Sequence, residues 1–204
     1  MTLDPPFRAA SAADARVIAE LVDMASEGVA AIEWQADARQ QGGVDMLDVG
    51  ARLYAGDQGN YCYRNCVVAE QDGAVMGMLL SFAEGPAEGE PAPPPPYDGS
   101  DVFAPFRYLE APDTWYICGV ALFPDYRGRG LGTQFLDIAR RQAREHGFER
   151  LSLVVFEENI GALRLYQRLG FEETKRAPII PHPLIRATGD ALLMVAPLAS
   201  PPTA

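Results

Sequence analysis

The sequence predicts an α/β fold, on three observations. Residues 115–133 read as a buried strand that stops at Pro124 and opens through a glycine-rich turn into an amphipathic helix. Residues 66–70 and 75–82 are strand-like runs separated by Asp72-Gly73, the strongest short hairpin signal. Residues 151–156 are nearly all apolar, as in a strand covered on both faces. A chain of 204 residues suits one full-cored domain rather than two. We expect that domain over 1–198, with a proline-rich insertion at 84–112 and a polar tail at 199–204.

The elements follow in order. Residues 7–10 suit a short first strand, and Ser11 with Asp14 resembles a helix start. Val17, Ile18, Leu21, Val22 and Ala25 recur at helical spacing, which predicts a helix at about 11–27. The segment around Trp34 and Gln35 fits no one period. Gly42-Gly43 breaks the chain, and 44–54 repeats the helical pattern. Cys62 and Cys66 are spaced to share one face of a strand. Gly77 marks a bulge or a thin spot in the returning strand. Eight of the 29 residues in 84–112 are proline, so this segment is expected to be extended and outside the sheet. Tyr97, Phe103, Phe106 and Tyr108 give it apolar surface with which to dock. Leu131, Phe135, Ile138 and Ala139 then form a helical stripe that ends at Gly147. Asn159 caps a helix with Ala162, Leu165, Tyr166 and Leu169 inside, and Gly170-Phe171 closes it. A strand runs to about Arg176, Pro178, Pro181 and Pro183 hold a loop around His182, and 190–198 is the last strand.

Charge narrows the function. The net charge is −11, but residues 1–126 carry 20 acidic and 6 basic side chains, and 127–204 carry 8 and 11. An acidic total lacks the footprint that nucleic-acid binding requires. The asymmetry suits an anionic ligand on the second half and a cationic one on the first. No apolar run is long enough to span a bilayer. The first eight residues lack a basic region followed by an apolar core, so no signal peptide is expected. Cys62, Cys66 and Cys118 show neither disulfide parity nor metal spacing. The expectation is a reduced cytoplasmic protein with no metal, no nucleic acid and no membrane partner.

A glycine turn at a helix start binds phosphate through exposed backbone N–H groups. A Walker loop needs a lysine after its second glycine, and none stands in this turn. A dinucleotide fingerprint needs Gly-x-Gly-x-x-Gly, and Thr133 occupies the last place. Arg127-Gly128-Arg129-Gly130-Leu131-Gly132 instead resembles the Arg/Gln-x-x-Gly-x-Gly/Ala signature of the GNAT superfamily of acyl-CoA-dependent N-acyltransferases. Residues 159–171 resemble that family's second motif, Asn-x-x-Ala-x-x-Leu-Tyr-x-x-x-Gly-Phe, at every position. The resemblance is strong over about 113–172, fair over 64–82 and weak elsewhere.

The resemblance implies a mixed, mostly antiparallel sheet with a splayed central strand pair and helices on both faces. It implies acetyl-CoA as donor and direct acetyl transfer to a primary amine, on a small molecule or a peptide, and it admits a homodimer. The coenzyme pyrophosphate would lie on the amides of Arg129, Gly130, Gly132 and Thr133, with Arg127, Gly128 and Leu131 in the same turn. The main chain of Val120 and Leu122 would hold the pantetheine arm beside a bulge at Gly119. The Val120 N–H would donate to the oxyanion, and Asn159 would contact the arm. Tyr166 would protonate the departing thiolate, since a phenol is protonated at neutral pH. Tyr116 takes the place where family members often carry the base. A phenol is a poor base, so water relayed through Asp113, Glu110 or His182, or attack by already neutral amine, remain open routes. The competing reading is a CoA-binding sensor or regulatory module without turnover, or a structural protein that uses the fold only to dimerise.

Overall fold

The computed structural model describes residues 2–86 and 92–198. The expected tail at 199–204, and 87–91 of the proline-rich segment, lie outside the described residues. Seven strands form one mixed sheet in the order β1-β2-β3-β4-β5-β7-β6. By chain contacts the molecule divides into two compact units. The strand β4 (Thr114–Leu122) and the helix α5 (Leu131–Glu145) contribute residues to both.

The first unit holds β1 (Phe7–Ala9), α1 (Ala15–Ala25), α2 (Val29–Gln40), α3 (Met46–Tyr54), β2 (Cys66–Gln71) and most of β3 (Ala74–Glu84). The turn before α1 is built on buried Asp14. Its carboxylate accepts from Ser11 N–H at 2.7 Å and from both Arg8 Nη atoms at 2.8 Å. The same guanidinium donates to Glu70 at 2.7 Å, so one arginine ties β1, the helix start and β2 together. Ile18, Ala19, Leu21 and Val22 bury the face of α1 that the helical spacing marks. In α2 only Ala31, Trp34 and Ala38 are buried, and Trp34 meets Tyr54 edge-on at 6.2 Å.

The strands β1–β2 and β2–β3 are antiparallel. Asp72 and Gly73, both at positive φ, make the two-residue turn of the β2–β3 hairpin. The register slips between Ala69, opposite Gly77, and Glu70, opposite Val75, which makes Met76 the extra residue of a bulge. Gly77 has no room for a side chain: a Cβ would lie 2.4 Å from the Ala121 carbonyl oxygen. One expectation needs correction here. Cys62 does not share a strand with Cys66, because Tyr63–Asn65 form a 3₁₀ turn and β2 starts only at Cys66. Both cysteines are buried, and none of the three in the chain is in a disulfide.

The second unit holds α4 (Ala104–Tyr108), β5 (Arg150–Phe156), α6 (Ile160–Arg168), β6 (Glu172–Pro178) and β7 (Asp190–Pro197). The strand β5 pairs parallel with β4 and antiparallel with β7, and β6–β7 is antiparallel. The β4–β5 ladder runs from Trp115↔Leu151 to Ile117↔Leu153. Thr114 and Ser152 share a buried hydroxyl–hydroxyl bond of 2.6 Å beneath it.

The proline-rich segment is not wholly extended. Glu84 still belongs to β3, and Pro105 stands in the first turn of the short helix α4, where its missing N–H costs nothing. This segment is docked: Phe106 packs edge-on to Phe156 at 6.2 Å. Lys175 donates to the carbonyls of Tyr108 and Glu110, each at 3.0 Å, with its ammonium 5.1 Å from the Tyr108 ring centre. Pro178 ends β6 rather than standing in the loop after it. Among the described residues, no helix is long and apolar enough to cross a membrane.

Candidate active site

The strand β4 alternates cleanly. Trp115, Ile117, Gly119 and Ala121 are buried on one face, while Tyr116, Cys118, Val120 and Leu122 are half-buried on the other. Phe123 N–H donates to Met76 O at 3.0 Å, so its peptide faces β3. By alternation, the peptide groups of Leu122 and Val120 point away from β3. That is the edge expected to hold an extended ligand. A Cβ on Gly119 would sit 3.3 Å from Ala25 Cβ and 3.5 Å from Met78 Cε, so this glycine serves close packing under α1.

After β4, Pro124–Tyr126 form a 3₁₀ turn and Arg127–Gly130 lead into α5. Gly128 and Gly130 have φ of 73° and 82°, which side chains other than glycine rarely adopt. A Cβ on Gly128 would meet nothing within 4 Å, so the turn needs glycine for its backbone path and leaves an open surface. Gln134 N–H closes the first helical turn on Gly130 O at 3.2 Å. The N–H groups before it, at Leu131, Gly132 and Thr133, have no acceptor one turn earlier within a helix. Together with Gly128, Arg129 and Gly130 they make a cluster of donors at the positive end of a 15-residue helix.

The two arginines are already engaged. Arg127 Nε donates to Leu122 O at 3.0 Å, and its Nη2 approaches Met24 Sδ at 3.3 Å. Arg129 donates to Asp125 O at 2.8 Å and lies 5.4 Å from the Tyr126 ring centre. Both brace the turn, which leaves the backbone amides to face a ligand.

In the second unit, Asn159 caps α6, its Oδ1 accepting from Ala162 N–H at 3.2 Å. The helix ends as its glycine suggests: Gly170 has φ 80° and Phe171 N–H returns to Tyr166 O at 3.0 Å. Tyr166 is 9% exposed and its ring packs 5.8 Å from that of Phe171. Burial pushes its phenol up to about 12. Its hydroxyl takes no hydrogen-bond partner among the described residues. A phenol that is protonated and has no protein partner is free to donate a hydrogen bond to a ligand.

The expected base candidates scatter. Tyr116 stands opposite Ser152 in the β4–β5 ladder, on the half-buried face. Asp113 is exposed at φ 55°, its N–H donating to Gly85 O at 3.1 Å. His182 is half-buried between two prolines. Glu110 has its carbonyl held by Lys175. Sequence reasoning missed Glu84. This last residue of β3 is half-buried, and burial and the Glu110 charge raise its pKa. No motif marks it, because what makes it unusual is a neighbour 26 positions away. Among the described residues, no three His, Cys, Asp or Glu side chains are placed to hold a metal.

These features fit known proteins. Residues 29–171 match the sequence profile of the Acetyltransferase (GNAT) family. Over 50 residues the chain is 48% identical to an uncharacterized N-acetyltransferase of Methanocaldococcus jannaschii, a stretch spanning 24% of this chain and 22% of that protein. The crystal structure of an acetyltransferase superposes with a TM-score of 0.63 at 22% identity, covering 94% of this chain and 98% of that one. The yncA acetyltransferase from Salmonella typhimurium, solved with its cofactor acetyl-CoA, gives a TM-score of 0.59 at 24% identity over 97% and 96%. At these identities the structural likeness is one of fold. The family profile spans well over half of the sequence, and the chain belongs to the acetyltransferase (GNAT) family.

Proposed function

We propose that the chain is an acetyl-CoA-dependent N-acetyltransferase that moves the acetyl group directly to a primary amine. The observation that carries this reading is the Tyr166 phenol, protonated and without a protein partner on a side chain that is otherwise buried. A module that only sensed coenzyme A would need the phosphate-binding turn but not this proton donor.

Coenzyme A fits the first unit by its donors. Its pyrophosphate would rest on the amides of Gly128–Thr133, where the glycines leave the surface open. The arginines act through the turn: Arg127 holds Leu122 O and Arg129 holds Asp125 O. Val120 and Leu122 would pair with the pantetheine arm through their outward peptide groups, and the Val120 N–H would donate to the oxyanion. Asn159 keeps its side-chain amide group for the ligand while its Oδ1 serves the helix cap. Acetyl-CoA supplies the activated acyl group. The chain supplies the donors that orient it and the Tyr166 proton that its sulfur takes on leaving.

The acceptor is an amine of a small molecule or a peptide. Residues 1–126, with 20 acidic against 6 basic side chains, favour a cationic one. The setting that suits three cysteines outside any disulfide is the reducing cytoplasm.

The test is the Tyr166→Phe variant. Calorimetry should show coenzyme A binding within about twofold of the original, while amine-dependent thiol release falls by about 10-fold or more. An unchanged turnover with a good acceptor removes Tyr166 from the reaction.

A further inference from the structure

The loop between β6 and β7 belongs to the second unit at both ends, yet three of its residues, Leu184–Arg186, group with the first unit. Their contacts fall on the corner between α1 and α2. The Leu184 carbonyl is pressed against Gly28, where a Cβ would stand 1.9 Å from its oxygen. Arg186 N–H donates to Glu27 O at 2.8 Å. The Arg186 guanidinium donates to Asp23 Oδ2 at 3.1 Å and to the Asp23 carbonyl, and its Nε lies 3.5 Å from Glu27 Oε2.

The corner that these residues hold is strained. Glu27 has φ 49°, in the left-handed region that side chains rarely adopt, and Gly28 follows at 90°. Arg186 grips Glu27 by main chain and side chain at once. Asp23 Oδ1 is buried with no hydrogen-bond partner among the described residues. A carboxylate with one oxygen buried and unserved is costly, and the paired Arg186 offsets that cost. The Arg186 side chain is 48% exposed, so the ion pair by itself adds little. The main-chain bond and the seat at Gly28 supply the rest. A half-exposed ion pair above an orphaned oxygen is a hold that can open.

The same corner also meets the candidate coenzyme site. Met24 Sδ receives Arg127 Nη2 at 3.3 Å, and Arg127 Nε holds Leu122 O at 3.0 Å. Ala25 Cβ closes on Gly119 of β4, where an added Cβ would lie 3.3 Å from it. By helical spacing Ala25 lies on the side of α1 roughly opposite Asp23. Residues 23–28 are thus gripped by Leu184–Arg186 on one side and by β4 and the glycine-rich turn on the other.

On the coenzyme A reading above, we propose that Leu184–Arg186 is a strap that locks the α1–α2 corner against β4 and the glycine-rich turn, so that strap closure and coenzyme A binding favour each other. Arg186 is its positioning residue and acts through residues 23–28 on Arg127 and Leu122. Such coupling is reciprocal by thermodynamic necessity. The factor by which coenzyme A suppresses opening of the strap is the factor by which loss of the strap weakens coenzyme A.

The test uses the full chain, coenzyme A, and the variants Arg186→Ala and Arg186→Lys. Trypsin cuts after Arg186 only when the guanidinium has left Asp23, so that cleavage rate reads strap opening. Hydrogen exchange of the Arg186 amide, released when it leaves Glu27 O, reads the same event. Saturating coenzyme A should slow both by about 10-fold and leave cleavage after exposed Arg64 unchanged. Calorimetry should show Arg186→Ala binding coenzyme A more weakly by about the same 10-fold. Arg186→Lys, whose single ammonium does not span Asp23 and Glu27 together, should be cut faster than the original and bind coenzyme A with intermediate affinity. A strap with a structural role alone would lower Tm in Arg186→Ala and leave both coenzyme A affinity and protection unchanged, which overturns the coupling. Coenzyme A binding with less than about a twofold effect on opening also overturns it and leaves the coenzyme reading standing. That measurement on the wild-type chain decides even where Arg186→Ala fails to fold. A wild-type chain that does not bind coenzyme A overturns the coenzyme reading itself, and the strap's role with it.

Discussion

Arg127 turns back along its own chain, and its Nε donates to the carbonyl of Leu122 at 3.0 Å, five residues earlier. The end of β4 and the start of the glycine-rich turn are thereby closed into one ring. The arginine of the signature acts here as a brace, and on the proposed function the ligand contacts would fall to backbone amides.

Arg127→Ala should therefore weaken coenzyme A binding modestly, by about fivefold, or ~1 kcal/mol, as expected for one lost hydrogen bond. Calorimetry with coenzyme A over a range of salt concentrations checks it. Loss of a brace leaves the salt dependence of binding unchanged. A flattened salt dependence would instead mark Arg127 as a direct phosphate contact.

Gly128 separates backbone conformation from space. Its φ is 73°, and an added Cβ meets nothing within 4 Å. Gly128→Ala should cost about 1–2 kcal/mol of strain without a clash. That strain should appear as weaker coenzyme A binding, by roughly 5- to 30-fold, and little loss of thermal stability if the turn relaxes locally. Gly77→Ala should behave oppositely. Its Cβ would lie 2.4 Å from Ala121 O, so Tm should fall and binding should fail only as the fold does.

Tyr166 fixes a pH expectation. Its ordinary value near 10 is raised to about 12 by burial, so the folded state holds the proton more tightly than the unfolded state. Its contribution to stability is fully present below pH 10 and is lost as pH rises from about 10 to 12. Turnover should accordingly show no descending limb from Tyr166 below about pH 11. A limb that sits lower and survives in Tyr166→Phe would belong to another group.

Asp14 fixes the opposite sign. The Arg8 hydrogen bonds hold its carboxyl at about 2, below the usual carboxylate range. The unfolded chain binds that proton first, so this contribution is present above about pH 4 and lost as pH falls towards 2. Asp14→Asn should destabilise the protein by about 1–2 kcal/mol at pH 7 and flatten its acid unfolding in that window, as read by denaturant titration.

The sequence was readable where local chemistry decides structure. The hairpin at Asp72-Gly73, the cap at Asn159 and the stripe of Leu131, Phe135, Ile138 and Ala139 all depend on residues a few positions apart. The helix α2 was not readable, because two of its three buried residues are alanines and its main contacts are tertiary. Trp34 packs on Tyr54, and Gly50 leaves room for the indole, since a Cβ there would lie 2.9 Å from it. The start of β2 at Cys66 was readable, but the placing of Cys62 on the same strand was wrong, because the 3₁₀ turn of Tyr63–Asn65 has no breaker residue to announce it. In the candidate site, the glycines and Tyr166 stand in motifs, so the sequence alone singles them out. The engagement of Arg127 and Arg129 was not, because a side chain that turns back on its own loop has the same sequence as one that reaches a phosphate. Glu84 was invisible for a related reason: its environment comes from Glu110 and Cys118, brought together by the path of the chain.

The most direct test of the central claim is amine-dependent thiol release from acetyl-CoA, with the acetylated product weighed by mass spectrometry. The account predicts one acetylamine formed per coenzyme A released, with cationic primary amines turned over best. Tight coenzyme A binding with no amine that accelerates thiol release above hydrolysis would contradict it, and would leave a sensor that reads the coenzyme without using it.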